Sequence, residues 1–434
     1  MIILIKILQV ILALSVLILI HELGHFAFAK IFKIRVEKFY LFFDAGFSLF
    51  KFKPKNSDTE YGIGWLPLGG YCKISGMIDE SMDTESLKKE PQPWEFRSKP
   101  AWQRLLVMAG GVLFNFIFAI ILYICIMAGW GESYIKNEGN SIYVNELAYE
   151  MGFRNGDRIL KFDDYTPERF DMLQADMARR TASKATVLRN NDTIDIYIDQ
   201  SMMGDVLNTP MMFDLAMPFI IDSVPPASPN YQAGLKKGDR VINLDGHDIE
   251  YLQESWKLLK TLPGKGIPAL VARGEDTLSL SLQIDSTGKI GVFTKAPSIE
   301  VKKYSGLEAV PAGLKLTFKT IGGYLQDLKL IFTPSTEAYK SVGSFISMGQ
   351  IFPATWDWYR FINILALLSI MLGVMNLLPI PALDGGHIVF ALYEIITRRK
   401  PSDKFLEGAQ IVGMLLLFGL MILAFGNDIG RLFR

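Results

Sequence analysis

The chain has 434 residues, half of them hydrophobic, and its 45 basic and 45 acidic side chains give a formal net charge of zero. This length allows two to four domains. The balanced charge argues against a nucleic-acid-binding protein, which would carry a strongly basic domain or patch. Two cysteines cannot form a disulfide framework, and only four histidines occur, so histidines close together are informative.

Apolar residues are concentrated in four runs. The first covers residues 7–20 and resumes at 26–29, and the others cover 105–130, 361–383 and 408–427. Each of the last three reaches the roughly 20 residues needed to span a bilayer. The pattern predicts a polytopic α-helical membrane protein with four transmembrane helices, rather than a large soluble enzyme with buried helices.

The first run also has features of a signal peptide, because Lys6 precedes it and residues 27–29 imitate a small-x-small cleavage site. Cleavage there would remove the most distinctive polar residues of the chain. We therefore expect an uncleaved first span.

Basic residues predict the orientation of the spans. Lysine and arginine are frequent in 30–104 and 395–407, whereas the twenty residues after Trp130 contain one lysine and four glutamates. The positive-inside rule then places both basic loops in the cytoplasm and residues 131–360 outside.

A histidine–glutamate cluster, HELGH, occupies residues 21–25 within the first run. On a helix, His21 and His25 project from one face because they are four residues apart. Two neutral imidazoles at this spacing suit tetrahedral Zn²⁺, and Glu22 can take a proton from metal-bound water. A polar cap at the helix end is the simpler alternative, but such residues at hydrocarbon depth normally mark a functional site.

A third zinc ligand is expected near the end of the third run, where residues 376–387 read NLLPIPALDGGH. Asn376 and two prolines predict unwound backbone, which a bilayer tolerates only where protein or a cavity shields it. Asp384 and His387 can both bind zinc, and the residues alone do not separate them.

HELGH in a first transmembrane helix, followed by NLLPIPALDGG in a later one, resembles the site-2 protease family of intramembrane zinc metalloproteases. Within that family the similarity is to the bacterial regulator-of-sigma-E protease branch, and it extends over essentially the whole chain. The resemblance implies zinc ligands His21, His25 and Asp384, with Glu22 as general base and a supporting role for His387. It also implies a bacterial inner-membrane protein whose active site lies near the cytoplasmic side.

Residues 61–77, YGIGWLPLGGYCKISGM, are rich in β-formers and glycine and predict an extended, hairpin-like element. The resemblance implies that this is a membrane re-entrant β element whose edge pairs with an unwound substrate. Gly69 and Gly70 are then candidate substrate-binding or oxyanion residues. A plain surface hairpin is the alternative.

Asn115 is a lone polar residue in the second span, and it is either an interhelical hydrogen-bond partner or part of a site. The family carries G-x-x-x-N here, matched by Gly111 and Asn115, although Val112 replaces the usual proline. The resemblance implies that Asn115 helps to hold the oxyanion or the metal-bound water, with helix packing as an equal alternative. It also implies that Asn376 holds the unwound substrate backbone.

Residues 151–164 and 233–246 share one pattern, in which glycine, an apolar residue, two variable residues and Gly-Asp-Arg lead into an apolar pair. A repeat of about 80 residues predicts tandem small domains. The pattern resembles α+β PDZ domains, which bind extended peptides by strand addition. Such a pair could recognise a trimmed terminus or act as a size filter, and the family resemblance implies the filter. Residues 306–333 predict amphipathic helical pieces on the outer leaflet, or a soluble packing helix.

The sequence thus predicts a zinc-dependent intramembrane endopeptidase, in which Glu22 moves protons between the attacking water and the leaving amine. By resemblance, its partners are the lipid bilayer and pre-trimmed single-pass membrane proteins, such as anti-sigma factors or remnant signal peptides. Peptide termini are further possible partners of the PDZ pair, and no nucleic acid is expected. The alternatives are a catalytically inactive membrane scaffold and a zinc transporter, which would need ionisable residues in several spans.

The predicted boundaries follow the same order. They are transmembrane helix 1 (1–32), a cytoplasmic loop (33–103) with the re-entrant β element (61–77), transmembrane helix 2 (104–130), PDZ domain 1 (131–210), PDZ domain 2 (211–297), an amphipathic segment (298–357), transmembrane helix 3 (358–394), a cytoplasmic loop (395–407) and transmembrane helix 4 (408–427).

Overall fold

The structure is a computed structural model that describes residues 2–67, 69–77 and 90–432. The helices are α1 (Ile2–Ile31), α2 (Ala101–Gly129), α3 (Glu146–Glu150), α4 (Leu173–Arg179), α5 (Met203–Asn208), α6 (Pro229–Gln232), α7 (Leu252–Lys260), α8 (Ala309–Ile331), α9 (Phe345–Ile351), α10 (Trp358–Leu377), α11 (Asp384–Thr397) and α12 (Asp403–Leu432).

The strands are short and fall into six small sheets among the described residues. They are β1 (Val36–Leu41), β2 (Phe43–Phe52), β3 (Glu60–Leu66), β4 (Tyr71–Ile74), β5 (Glu132–Tyr134), β6 (Ile142–Val144), β7 (Arg158–Phe162), β8 (Lys184–Arg189), β9 (Asp192–Tyr197), β10 (Phe213–Leu215), β11 (Ile221–Ser223), β12 (Arg240–Leu244), β13 (His247–Asp248), β14 (Gly266–Arg273), β15 (Asp276–Gln283), β16 (Phe293–Thr294) and β17 (Glu300–Lys302).

The chain divides into two compact units. The membrane unit contains Met1–Gly131, Lys303–Lys329 and Lys340–Arg434, and the repeat unit contains Glu132–Lys302 and Leu330–Tyr339. Four described helices, α1, α2, α10 and α12, are long and apolar enough to cross a membrane. All four lie in the membrane unit, so the prediction of four membrane helices is confirmed.

Helix α2 packs against α1, α10 and α11 in the membrane unit. At Gly24 and Gly110 the backbones of α1 and α2 touch directly, because a Cβ on Gly24 would lie 2.2 Å from the carbonyl oxygen of Gly110. Glycines let transmembrane helices approach this closely. The approach brings the histidine-bearing turn of α1 directly against the backbone of α2.

The predicted third span of residues 358–394 is two helices. Helix α10 ends at Leu377, and α11 begins at Asp384 after the proline-containing segment. Gly385 allows the chain to turn here, because a Cβ at this position would lie 2.2 Å from the carbonyl oxygen of Leu378. The break places the first residue of α11 at the end of a membrane-length helix.

The extended conformation predicted for residues 61–77 is present, but the hairpin is wrong. The sheet order is β2-β3-β1-β4, so β3 and β4 both pair with β1 and not with each other. Strand β1 lies between them, and the ring of its Tyr40 covers Gly62 of β3, where a Cβ would lie 2.3 Å from the ring. Gly62 therefore provides a surface for an aromatic ring rather than a tight turn.

The amphipathic pieces predicted for residues 306–333 form one continuous helix, α8. One face packs against α2, because a Cβ on Gly313 would lie 2.7 Å from the Cα of Ile124. Phe318 and Leu325 remain mostly exposed. This pattern suits a helix that packs on a span and presents an apolar face to lipid.

The two sequence repeats fold alike around their Gly-Asp dipeptides. The carboxylates of Asp157 and Asp239 are fully buried, and each accepts two hydrogen bonds from the guanidinium of one arginine at 2.7 and 2.8 Å. The arginines, Arg189 and Arg273, end the corresponding strands β8 and β14. The internal repeat in the sequence is therefore also a structural repeat.

The repeats differ in the connection that follows their last long strand. The connection from Asp199 to Phe213 is six residues longer than the corresponding one from Asp285 to Phe293. The longer connection contains α5, and its Met203 is fully buried in the core of the first repeat.

Gln174 of α4 holds this longer connection in position through hydrogen bonds. Its side chain donates to the carbonyl oxygens of Val206 and Thr209 at 2.8 Å and accepts from the backbone N–H of Met212 at 2.9 Å. Helix α5 is thus held against α4 by polar contacts as well as by buried apolar side chains.

The Arg273→Gln variant tests the ion pair of the second repeat. Burial raises the pKa of Asp239, but the stronger combined effect of hydrogen bonds from Arg273 and the Lys236 backbone lowers it. Without Arg273 the carboxylate stays buried and poorly paired, so the free energy of unfolding of this repeat should fall by about 2–3 kcal/mol. Hydrogen exchange of β12 and β14 amides measures the loss.

The matched control is Lys237→Gln, because Lys237 is 77% exposed in its ion pair with Asp222 and should contribute less than about 1 kcal/mol. Because the folded-state pKa of Asp239 is depressed, the stabilisation is present above its unfolded-state pKa. It is lost as pH falls through the folded-state value. Equal effects of the two substitutions would contradict the assignment.

Candidate metal centre

Three donor atoms meet where α1, α2 and α11 come together. The Nε2 atoms of His21 and His25 are 3.2 Å apart, and each lies 3.3 Å from Oδ2 of Asp384. Tetrahedral zinc with bonds of about 2.0–2.1 Å keeps its nitrogen and oxygen ligands about 3.3–3.4 Å apart. The three atoms therefore have the mutual spacing that a zinc ion requires.

The buried Asp384 carboxylate supports the same conclusion. Its Oδ2 accepts no properly oriented hydrogen bond from the described residues, and the side chain is only 12% exposed. A buried acceptor without a donor is costly and calls for a further partner. A cation bound between the imidazoles and this oxygen would supply that partner.

Local sequence places these donors. His21 and His25 lie one turn apart on α1, and Asp384 is the first residue of α11. Because the chain unwinds between α10 and α11, the aspartate turns toward α1 instead of continuing along the span.

The ring of His25 is oriented by a hydrogen bond at Nδ1, the ring nitrogen that is not one of the three donor atoms. Its Nδ1 lies 2.9 Å from the carbonyl oxygen of Val107, which accepts the Nδ1 hydrogen. That hydrogen bond fixes the tautomer in which Nε2 carries a free lone pair. Val107 contributes through its backbone carbonyl, so its role could not be predicted from its side chain.

Asn115 orients His21 in the same way. Its carboxamide lies 3.0 Å from Nδ1 of His21, and its Oδ1 is buried without a partner among the described residues. The two ends of a carboxamide exchange on rotation, so the oxygen can accept the Nδ1 hydrogen and both groups are then satisfied. Both histidines would then present Nε2 to the same point.

Gly111 provides the space for both rings. A Cβ at this position would lie 2.5 Å from Nε2 of His25 and 2.6 Å from Cε1 of His21. The glycine and the asparagine of the G-x-x-x-N pattern thus act on one cluster, Gly111 by its lack of a side chain and Asn115 by its amide.

Glu22 lies beside this cluster and is linked to the sheet, because its carboxylate accepts a hydrogen bond from the backbone N–H of Cys72 in β4. Asn376 is also close, with its Nδ2 3.5 Å from Nε2 of His21. His387 does not join the three donor atoms and lines a separate cavity.

Gly69 and Gly70 have a packing role in the structure. A Cβ on Gly69 would lie 2.5 Å from the ring of Phe43, and one on Gly70 would lie 2.6 Å from the side chain of Ile18. Both glycines therefore permit close contacts of the loop before β4, whatever their part in substrate binding.

Comparison with known proteins supports the interpretation of these two histidines and this carboxylate as a zinc site. Over 443 residues the chain is 29% identical to the "Putative zinc metalloprotease" of Xylella fastidiosa strain Temecula1, covering 96% of each protein. It is 28% identical to "Regulator of sigma-E protease RseP" of Escherichia coli K12, covering 97% of this chain and 98% of that protein. The Salmonella typhimurium 14028s protein of the same name is 27% identical with the same coverage.

These features define a zinc metalloprotease of the membrane. Residues 9–420 match peptidase family M50, and the chain belongs to that family. The predicted membership in the site-2 protease family, the protease activity and the zinc cofactor are thereby confirmed.

A Gly111→Ala substitution should weaken zinc binding by about 10–100-fold, the usual cost of disturbing the groups that orient metal ligands. The added methyl group would occupy the space of both imidazoles. Gly129→Ala is the matched control, because the same helix leaves open space at that glycine. Zinc content after dialysis against graded chelator measures the affinity, and unchanged affinity in Gly111→Ala would contradict the geometry.

Proposed function

We propose that this metalloprotease cleaves peptide bonds within the transmembrane segments of single-pass proteins whose external domains have already been removed. The observation that carries the proposal is the spacing of three donor atoms. Two of them belong to α1, a helix long enough to cross a membrane, and the third belongs to α11, which follows the membrane-length helix α10. A hydrolytic centre at such a position acts on chains that lie in the bilayer.

His21, His25 and Asp384 would hold the ion, because their donor atoms fit its preferred geometry and chemistry. Bound zinc supplies a Lewis acid that polarises the scissile carbonyl and acidifies water. Glu22 then acts as general base toward the attacking water and as general acid toward the leaving amine. The Cys72 N–H orients its carboxylate.

Asn115 acts as a positioning residue in this scheme rather than as an oxyanion donor. Its carboxamide is engaged with Nδ1 of His21 on the side away from the donor atoms. Asn376 is the better candidate for contact with substrate, because its amide lies next to Nε2 of His21.

Substrate would bind in an extended form along β4. A helical peptide bond hides its carbonyl, whereas the open edge of a sheet pairs with an unwound segment. Among the described residues β4 is an edge strand of its sheet, and the N–H of its Cys72 donates to Glu22. This is the role we propose for the re-entrant element of residues 61–77.

The chain would be a multi-pass protein of the bacterial inner membrane, with the active site near the cytoplasmic side. Support comes from the basic loops 30–104 and 395–407 and from relatives named as regulators of sigma-E. Anti-sigma factors and remnant signal peptides are the proposed substrates. The complete donor set beside Glu22 argues against the inactive scaffold. We propose the predicted domains in the predicted order, with the boundary between the two repeats placed between β10 and β11, because β10 pairs with β6 and packs in the core of the first repeat.

Three substitutions in full-length protein test the chemistry. Glu22→Gln should retain zinc and lose at least about 10²-fold in cleavage of a single-span substrate in liposomes, because the proton acceptor is removed. Asp384→Asn should lose zinc, whereas the control His387→Ala should keep it. Zinc retained by Asp384→Asn and lost by His387→Ala would overturn the ligand assignment.

The two external repeats are proposed to be PDZ domains that differ in function. Strand β16 of the second repeat pairs with β11 alone and leaves one edge open among the described residues. The corresponding strand of the first repeat, β10, likewise pairs with β6 alone among the described residues, but the connection that leads into it is longer, contains α5 and is held by Gln174. We propose that an external peptide terminus binds the second repeat and not the first, while the pair as a whole acts as a size filter.

Hydrogen exchange of the full chain with a peptide bearing a free C-terminal carboxylate tests this difference. The amides of β16 should become protected by strand addition. Those of β10 should not, because the segment that leads into β10 is already held by Gln174 and contains α5. The same peptide with an amidated C-terminus serves as control. Protection of β10 instead would contradict the proposed division.

A further inference from the structure

The described part of the membrane unit contains a cavity that is separate from the metal centre. Its volume is about 80 Å³, several times the 10–15 Å³ that one water molecule needs. Its walls come from α2 through Arg104, from α11 through His387 and Phe390, and from α12 through Leu406 and Gln410. The mechanism proposed above uses none of these residues.

The charged side chains of this cavity favour an anion. Arg97, Arg104, Glu394 and Lys400 line it, so three of the four are cationic. Two of these cations are already paired, Arg97 with Glu95 and Arg104 with Glu394. Lys400 makes no ion pair with any residue that the structure describes, so one full positive charge is available at the cavity.

Gln410 provides a second, independent indication of a ligand. It is 3% exposed and lines the cavity, yet its carboxamide makes no hydrogen bond within the described ranges. A buried amide without a partner costs free energy unless a bound group completes it. Its N–H groups can donate to an anionic oxygen.

The remaining walls of the cavity are apolar, and exposed tryptophans are close to them in the sequence. Phe96, Phe390 and Leu406 line the cavity beside the charged groups. Trp94 and Trp102 nearby in the chain are 44% and 50% exposed, at the start of a membrane-length helix. Exposed tryptophans at span ends mark the membrane interface. An occupant with both an anionic head and an apolar part suits these surroundings.

We propose that this cavity binds the phosphate headgroup of an anionic phospholipid. Lys400 and Gln410 contact the phosphate oxygens, and the apolar walls cover the start of the lipid chains. Basic pockets between transmembrane helices on the cytoplasmic side are suited to such headgroups.

Occupancy of this site also bears on the metal centre. Helix α11 begins with Asp384, and α12 packs on the break before it, where a Cβ on Gly413 would lie 2.6 Å from the N of Ala382. A lipid held between α11 and α12 would stabilise that contact. This regulatory consequence rests on the proposed function, whereas lipid binding itself does not.

Native mass spectrometry of full-length protein tests the proposal, using nanodiscs of phosphatidylcholine alone or mixed equally with phosphatidylglycerol. Wild type should retain one phosphatidylglycerol after transfer to detergent. Lys400→Gln should weaken retention about fivefold, the effect of losing one basic side chain at a membrane surface. Lys400→Arg should restore it, and Gln410→Leu should weaken it without changing the charge.

Lys404→Gln is the matched control, because Lys404 is an exposed lysine close in sequence that does not line the cavity. Equal loss in Lys404→Gln and Lys400→Gln would show diffuse surface attraction and overturn the proposal. The proposal would also be overturned if the protein retained phosphatidylcholine to the same extent, or if inorganic phosphate displaced the lipid. Zinc content is measured in every variant, so failure of the metal centre is distinguished from failure of lipid binding.

Discussion

The metal centre depends on the backbone contact between α1 and α2. Gly24 and Gly110 allow the two helices to touch, and Gly111 leaves room for both imidazoles against the second helix. From this contact come the Val107 carbonyl that orients His25 and the Asn115 amide that orients His21. If the helices were one side chain further apart, neither orienting bond could form. The chemistry of the site is therefore inseparable from helix packing in the bilayer.

The second constraint is the interruption after α10. Unwinding a membrane segment is expensive because backbone groups lose their partners in lipid. Here it frees the chain to place Asp384 beside two histidines that lie on another helix. Zinc binding would offset part of the expense, because it satisfies a carboxylate oxygen that is otherwise buried without a donor. Helix packing, the interruption and the ion thus support one another.

The membrane spans and part of the metal centre could be predicted from the sequence. The spans follow from hydropathy, and the spacing of His21 and His25 follows from helix geometry, since both signals are local. The choice of Asp384 over His387 needed either the family resemblance or the structure, because both residues can bind zinc. The β element was mispredicted because strand partners are chosen over long sequence distances, and nothing between residues 61 and 77 indicates that β1 lies between β3 and β4. The role of Val107 could not be predicted, because it contributes a main-chain carbonyl that any residue at this position would provide.

The extra six residues of the first repeat have a consequence for how a duplicated module can diverge. Under the proposed assignment, the longer connection of the first copy, which contains α5, keeps an external peptide away from β10, whereas β16 of the other copy remains available. A tethered segment has an effective concentration that a free peptide rarely reaches. In that copy the segment would outcompete external ligands. Its contacts would then stabilise the folded module instead of contributing to peptide binding. One module then serves as a rigid support, while its duplicate keeps the capacity for recognition.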